Sequence, residues 1–428
     1  MPVNEISSDT AVFMPRVVVV GIGYVGLRLC SEAAQAGHEV IGLDIDTARV
    51  AAINAGEPPV GTITREELAS LHEQGFTATS DPVVLSSAQV IVICVPTPLR
   101  DGQPDLELLR AACRTIRDHL QPGTLVCLES TTYPGTTEDV VAPILTESGL
   151  IIGKTLNVAY SPERIDPGNK RFTIANTPKV VAGVTDTCTT RALAFYFGFV
   201  DDVVVAANPR EAEMAKLLEN TYRNVNIALV NELAIACDGL GIDIWNVIGL
   251  AATKPFGFQS FSPGPGVGGH CIPVDPGYLS ATVRTQLGYP IRLVEVAQEV
   301  NQRMPAFVVE RIGRQLNTRK LALNGARILL VGVSYKSGVA DMRESPAIPI
   351  ARALRASGAV VHFHDRYVQS WTVDGEPIPR FDWNTTEPFD LGVMLQHDED
   401  SESSLLLSAC AVVLDTRGHM KGEGVVRL

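Results

Sequence analysis

The chain has 428 residues, too many for one hydrophobic core, and the usual domain size predicts about three domains. Apolar residues at 46% and charged residues at 19% exclude a disordered or coiled-coil chain. With 35 Lys and Arg against 48 Asp and Glu the net charge is −13, which argues against sequence-independent nucleic-acid binding but leaves open a local site for an anionic small molecule.

The first residues, 1–10, lack the basic and apolar regions of a secretory signal, and no run of about 18 apolar residues is present to enter a membrane. Cysteines stand at 30, 94, 113, 127, 188, 237, 271 and 410 with no C-x-x-C pair. That spacing points away from a disulfide framework or a metal site and toward a reducing, cytoplasmic setting.

In chain order, the β-branched run at 16–20 predicts a buried strand ending at Gly21. Helical spacing over 24–36 stops at Gly37, and a second strand over 39–43 ends at Asp44. Further strands are predicted at 89–95, 124–128, 156–159, 179–184 and 202–206. Strands apolar on both faces and separated by helices predict a parallel sheet, covered on both sides, over residues 15–206 after an N-terminal extension at 1–14. From Pro209 to about Cys237 one helical segment runs for about 44 Å. With helices at 244–251 and 292–303 it forms a helical middle region, 207–320, expected to hinge the molecule and to form a homodimer interface. Residues 321–428 open with a strand at 327–331 that echoes the first strand. A helix at 348–357 and strands at 360–363, 391–395 and 411–414 follow. The echo is partial, because Gly332-Val333-Ser334-Tyr335-Lys336 lacks two of the three glycines of the first turn.

Gly21-Ile22-Gly23-Tyr24-Val25-Gly26 is G-x-G-x-x-G between a strand and a helix. The first glycine makes the turn, the second lets backbone approach a pyrophosphate, and the third lets the helix pack on the strand. The helix N-terminus supplies free N–H groups. Asp44 follows 23 residues after Gly21, where a carboxylate accepts from both ribose hydroxyls. Asp46 adds negative charge that disfavours a 2′-phosphate, so NAD is the expected cofactor. The fold class is α/β, with two Rossmann-like parallel-sheet domains joined by a long-helix middle domain.

The loops Val95-Pro96-Thr97-Pro98 and Ser130-Thr131-Thr132-Tyr133-Pro134-Gly135-Thr136 follow strands of that sheet, where α/β proteins bind ligands. Ordinary loop chemistry accounts equally well for either one alone. Lys216 and Asn220 share one face of the long helix; in a cleft they would stabilise an oxyanion, and by spacing alone a solvated face is the plainer account. Residues 262–276 place glycines and prolines directly before Cys271. Such a loop presents a thiol, which a nearby Lys would activate, and Asp275 would orient a water or pair with that Lys. The alternative is a cysteine packed beneath a glycine turn; His270 is not read as its base.

Together these residues resemble the nucleotide-sugar 6-dehydrogenase family. The matches are G-x-G-Y-V-G at 21–26, V-P-T-P at 95–98, S-T-T-Y-P-G-T at 130–136 and S-P-E-R at 161–164. They continue with K-x-x-x-N at 216 and 220, G-x-G-G-H-C at 266–271, and Ser334-Tyr335-Lys336 with Asp341-Met342-Arg343-Glu344-Ser345-Pro346, in family order. The resemblance implies a four-electron oxidation in which the C6 alcohol of a nucleotide-diphosphate sugar becomes a carboxylate and two NAD⁺ are reduced. It assigns Lys216 and Asn220 to oxyanions, Cys271 to a thiohemiacetal and then a thioester, Glu163 to a base acting through water, and Thr131 and Asp275 to water positioning. It further implies cofactor contacts at Pro96, Thr97, Thr131 and Arg343, and substrate contacts at Glu163, Arg164, Gly268 and Lys336. The third domain would cover the nucleotide.

The S-P-E-R and G-G-H-C spellings are closer to the branch acting on UDP-N-acetylhexosamines. Gly277 and Leu395-Gln396-His397 depart from the family's usual residues, which keeps UDP-glucose and dTDP-glucose open. A two-electron 3-hydroxyacid or 6-phosphogluconate-type dehydrogenase shares the Lys and Asn but needs neither the cysteine nor the third domain. A non-enzymatic NAD-binding scaffold has no use for Lys216, Asn220, Cys271 and Asp275 together.

Overall fold

The computed structural model of the protein describes residues 14–59, 63–100, 102–165, 169, 171–269, 272–384, 388–398 and 400–428. It divides into two compact units, Met1–Leu218 and Glu219–Leu428.

The first unit is built on β1 (Arg16–Val20), β2 (Glu39–Leu43), β3 (Thr77–Thr79), β4 (Val90–Ile93), the two-residue ribbon strands β5 (Leu99–Arg100) and β6 (Gln103–Pro104), β7 (Leu125–Leu128), β8 (Asn157–Tyr160), β9 (Lys179–Gly183) and β10 (Val203–Val205). Leaving out the β5–β6 ribbon, these strands make one sheet in the order β10-β9-β8-β7-β4-β1-β2-β3. Helices α1 (Tyr24–Gln35), α2 (Thr47–Asn54), α3 (Arg65–Glu73), α4 (Glu107–Arg117), α5 (Ala142–Thr146) and α6 (Asp186–Tyr196) accompany it. Val17, Val18 and Val19 are fully buried, as a central strand apolar on both faces requires. Helix α4 shows the complementary pattern, burying Leu109, Cys113 and Ile116 at helical spacing and leaving its charges outside.

The expected all-parallel sheet needs one correction. β8 and β9 pair antiparallel, and β10 lies parallel to β9, so the last two strands run against the others. The connection over 161–178 has no helix among its described residues, and without a crossover helix a parallel return is not required. Apolar runs encode burial on both faces, not strand direction.

Helix α7 (Pro209–Leu240) has 32 residues, about 48 Å, and the division between units falls within it. The second unit continues with α8 (Ile244–Ala251), α9 (Asp275–Leu287), α10 (Arg292–Thr318), β11 (Arg327–Val331), α11 (Ala347–Ala356) and β12 (Val360–His364). After the ribbon β13 (Thr372–Val373) and β14 (Glu376–Pro377) come β15 (Leu391–Met394), α12 (Asp400–Ala409), β16 (Val413–Asp415) and β17 (Val425–Arg427). Its sheet, in the order β12-β11-β15-β16-β17, is parallel throughout.

Two helices differ from expectation. α10 does not stop near Arg303 but continues through Pro305. An interior proline costs about 3 kcal/mol, and burial of Met304, Phe307, Val308, Ile312 and Leu316 in the core of this unit offsets it. α9 begins at Asp275, within the stretch read as a loop. No helix of the described residues is long and apolar enough to cross a membrane.

Candidate active site

The turn after β1 has the form a dinucleotide needs. Gly21 has φ +91°, and a Cβ there would lie 2.8 Å from the Cys94 carbonyl oxygen, so only glycine fits. A Cβ on Gly26 would lie 2.0 Å from the Gly21 carbonyl oxygen, which is the close packing of helix on turn. Among the described residues, nothing stands within 4 Å of a Cβ built on Gly23. Tyr24 and Val25 open α1 behind it, with no side-chain cap among the described residues, so its first N–H groups and positive end are available to an anion.

Asp44 closes β2 and is 6% exposed. One carboxylate oxygen accepts from the Ile22 N–H at 3.0 Å and from Arg49 Nη1 at 2.9 Å; the other accepts from the Asp46 N–H at 2.9 Å. It therefore grips the glycine turn from the neighbouring strand. Asp46 caps α2 through the N–H groups of Ala48 and Arg49. The Arg49 guanidinium lies against both carboxylates, which occupies the cation that would otherwise favour a 2′-phosphate. These residues fit NAD.

The two loops beyond β4 and β7 are stapled together. Thr97 Oγ1 donates to the Thr131 carbonyl at 2.7 Å, and Ser130 Oγ donates to the Val95 carbonyl at 2.7 Å, across Pro96. Both loops follow paired strands, so they form one edge of the crevice that the glycine turn also borders.

Lys216 lies on a buried face of α7, not a solvated one, and is 6% exposed. Its Nζ donates to the Glu163 backbone carbonyl at 2.5 Å. The Glu163 carboxylate accepts from the Ile165 N–H and lines a cavity of about 20 Å³ with Val25, Arg164 and Lys179. Burial pushes the Glu163 carboxyl up, with the Lys216 charge opposing, which makes it a better proton acceptor than an ordinary carboxylate. Arg164 donates to the Pro178 carbonyl at 2.8 Å, which ties the loop after β8 to the strand that runs back.

In the second unit Asn220 Nδ2 donates to Asp275 Oδ2 at 2.5 Å, with both side chains buried. Asp275 is the first residue of α9, where the helix dipole favours its negative charge. Cys271 and His270 lie outside the described residues. The glycine loop that leads to them is seated at several points. Gly264 N–H donates to Asn231 Oδ1 at 2.9 Å, and Gly269 N–H donates to the Arg343 carbonyl at 3.1 Å. A Cβ on Gly268 would lie 2.7 Å from the Glu344 carbonyl oxygen, and one on Gly269 would lie 2.6 Å from the Tyr335 ring. Lys336 follows Tyr335 on the loop after β11, and its carbonyl accepts from Ser334 Oγ at 3.0 Å. The Arg343 side chain is paired with Asp341, two residues away.

Residues 15–199, 210–303 and 329–421 match, in order, the NAD binding, central and UDP binding domains of the UDP-glucose/GDP-mannose dehydrogenase family. The chain belongs to this family. It is 36% identical over 360 residues to a UDP-N-acetyl-D-mannosamine dehydrogenase of Pyrococcus horikoshii, covering 83% of this chain and 84% of that protein. It is equally identical over 358 residues to a UDP-N-acetyl-D-glucosamine 6-dehydrogenase of Pseudomonas aeruginosa, 83% of each. A solved UDP-D-ManNAc dehydrogenase from Pyrococcus horikoshii matches the structure with a TM-score of 0.86 at 31% identity, over 96% of this chain and 98% of that one. The protein is an NAD-dependent nucleotide-sugar dehydrogenase.

The dehydrogenase also contains functional-site candidates that motif reading missed. Glu129, 2% exposed, accepts from Tyr196 Oη at 2.6 Å and pairs with Lys179 at 3.1 Å, and both line the Glu163 cavity. Arg49 is a second case, and Asp365 a third, accepting from the N–H groups of Val333 and Ser334 at the base of the Lys336 loop. Asp365 carries a signal that was readable, since like Asp44 it directly follows the second strand of its sheet. Glu129 and Lys179 carry none, being 50 residues apart.

Proposed function

We propose that the enzyme oxidises the C6 hydroxymethyl group of a UDP-N-acetylhexosamine to the uronate in two successive two-electron steps. The relatives named for UDP-N-acetylmannosamine and UDP-N-acetylglucosamine support that sugar class. The observation that carries the reading is the buried Lys216, held at Glu163 and one helical turn before Asn220. When bound, NAD⁺ supplies the hydride acceptor for each step. Lys216 and Asn220 stabilise the alkoxide formed when the C6 hydroxyl gives its proton to water, and hydride leaves from that alkoxide to give the aldehyde. Cys271 then adds to the aldehyde carbon, giving a thiohemiacetal that loses the second hydride to become a thioester. Glu163 takes a proton from the water that hydrolyses it, with Thr131 and Asp275 orienting that water. Arg164, Gly268 and Lys336 contact the substrate, and Arg343 lies toward cofactor or phosphates. The active molecule is a homodimer formed through the exposed apolar side chains of α7.

The test is stoichiometry on a panel of UDP-N-acetylmannosamine, UDP-N-acetylglucosamine, UDP-glucose and dTDP-glucose. Two NADH per sugar, with a uronate product by mass spectrometry, is the expected outcome. Cys271→Ala is expected to abolish uronate while NAD⁺ binding persists. One NADH per sugar with an aldehyde or ketone product would place the enzyme among two-electron dehydrogenases.

A further inference from the structure

Glu213 stands three residues before Lys216 on α7 and is fully buried. Its carboxylate accepts three hydrogen bonds from the far end of the loop that carries Thr131. The Gly135 N–H donates at 2.5 Å, the Thr137 N–H at 2.8 Å and Thr137 Oγ1 at 2.7 Å. Thr137 begins a π-helical turn, Thr137–Val141, of the kind that recurs at functional sites. One turn earlier on α7, Arg210 pairs with Glu138 and Asp139 of the same segment. Gly135 is crowded by this contact, since a Cβ there would lie 2.5 Å from Arg210 Nη1. The near end of the loop is already fixed to the Val95–Pro98 segment through Thr97 and Ser130.

We propose that Glu213 is a positioning residue, setting the α7 turn that carries Lys216 in register with the loop that carries Thr131. The proposal rests on the catalytic reading given above and deepens it. An apolar side chain would fill the same space without the desolvation that a carboxylate suffers there. A carboxylate is the group that accepts from two backbone N–H groups and a hydroxyl together. Burial pushes this carboxyl up to about 7, helped by Glu138 and opposed by its three donors, so the neutral form holds the closed contact best and ionisation above neutral pH weakens it. The charged groups around it are Glu138 and Asp139 on the gripped segment and Arg210 and Lys216 on α7.

The experiment combines kinetics with amide exchange on the full-length wild type, Glu213→Gln and Thr137→Val. Glu213→Gln is expected to lower kcat by about 10- to 100-fold while the Kd for NAD⁺ stays near the wild-type value. Thr137→Val removes one donor and is expected to fall in the same direction by less. In the wild type, protection of the 135 and 137 amides, corrected for intrinsic exchange, falls as pH rises through about 7, because opening returns the raised carboxyl to water. In Glu213→Gln it becomes independent of pH, which a packing role alone would not produce. Wild-type turnover with Glu213→Gln matching it in kcat and in amide protection overturns the proposal alone. No turnover by the wild type on any nucleotide sugar overturns the catalytic reading and the proposal with it.

Discussion

Glu402 lies in the second unit, 8% exposed, with its carboxylate 4.0 Å from His364 Nε2. The two do not form an ion pair. Trp383 Nε1–H, a donor only, points at His364 Nε2 at 2.9 Å, and the Phe381 carbonyl, an acceptor only, faces Nδ1 at 3.0 Å. The imidazole is therefore neutral, with its proton on Nδ1. Burial holds the His364 pKa below its ordinary value, in agreement with that assignment. Left without a cation at His364, Glu402 is pushed up to about 7 by burial and by Asp398 and Asp365. Its folded pKa exceeds the ordinary 4.5, so the stability it contributes is complete at low pH and lost as pH rises through about 7. Glu402→Gln is expected to raise the thermal midpoint at about pH 8 and to change it far less at about pH 5, followed by tryptophan fluorescence. An equal shift at both values would remove Glu402 as the linked group. None of this was legible in the chain: His364 and Glu402 are 38 residues apart and belong to no motif.

At the scale of elements, the two sheets solve the same turn in the same way. Gly21 after β1 and Gly332 after β11 both have positive φ, +91° and +73°. Each is crowded by the strand-end backbone beside it, Cys94 in one sheet and Gln396 in the other. Each turn is gripped by an aspartate closing the next strand, Asp44 or Asp365. The sequence showed this echo in its first glycine and apolar run. A Cβ on Gly332 would lie 2.4 Å from the Gln396 carbonyl oxygen. Gly332→Ala is expected to destabilise the protein by about 2 kcal/mol or more in urea titrations, combining backbone strain with a backbone clash. A loss within experimental error would show that the turn relaxes around the methyl group.

For the whole molecule, α7 leaves Tyr222, Leu229, Leu233 and Leu240 exposed, at intervals of seven, four and seven residues. That spacing keeps them on one stripe, because 11 residues complete about three helical turns. The proposed homodimer would cover it, and light scattering is expected to give twice the 45.9 kDa chain mass, with Leu233→Glu shifting the protein toward monomer. A wild-type monomer mass would contradict the interface. What the sequence by itself determined was local: the glycine turn with Asp44, the long helix with Lys216 and Asn220, and the loop of glycines before Cys271. Such features depend on backbone shape and on residues a few positions apart, which spacing reports directly. Only the tertiary structure decided the reversal of β9 and β10, the Glu129–Lys179–Tyr196 cluster, the seat of the glycine loop against Tyr335, and the grip of Glu213 on Gly135 and Thr137. Those contacts join residues tens of positions apart, and their energies come from burial and desolvation, which exist only once the chain has closed around them.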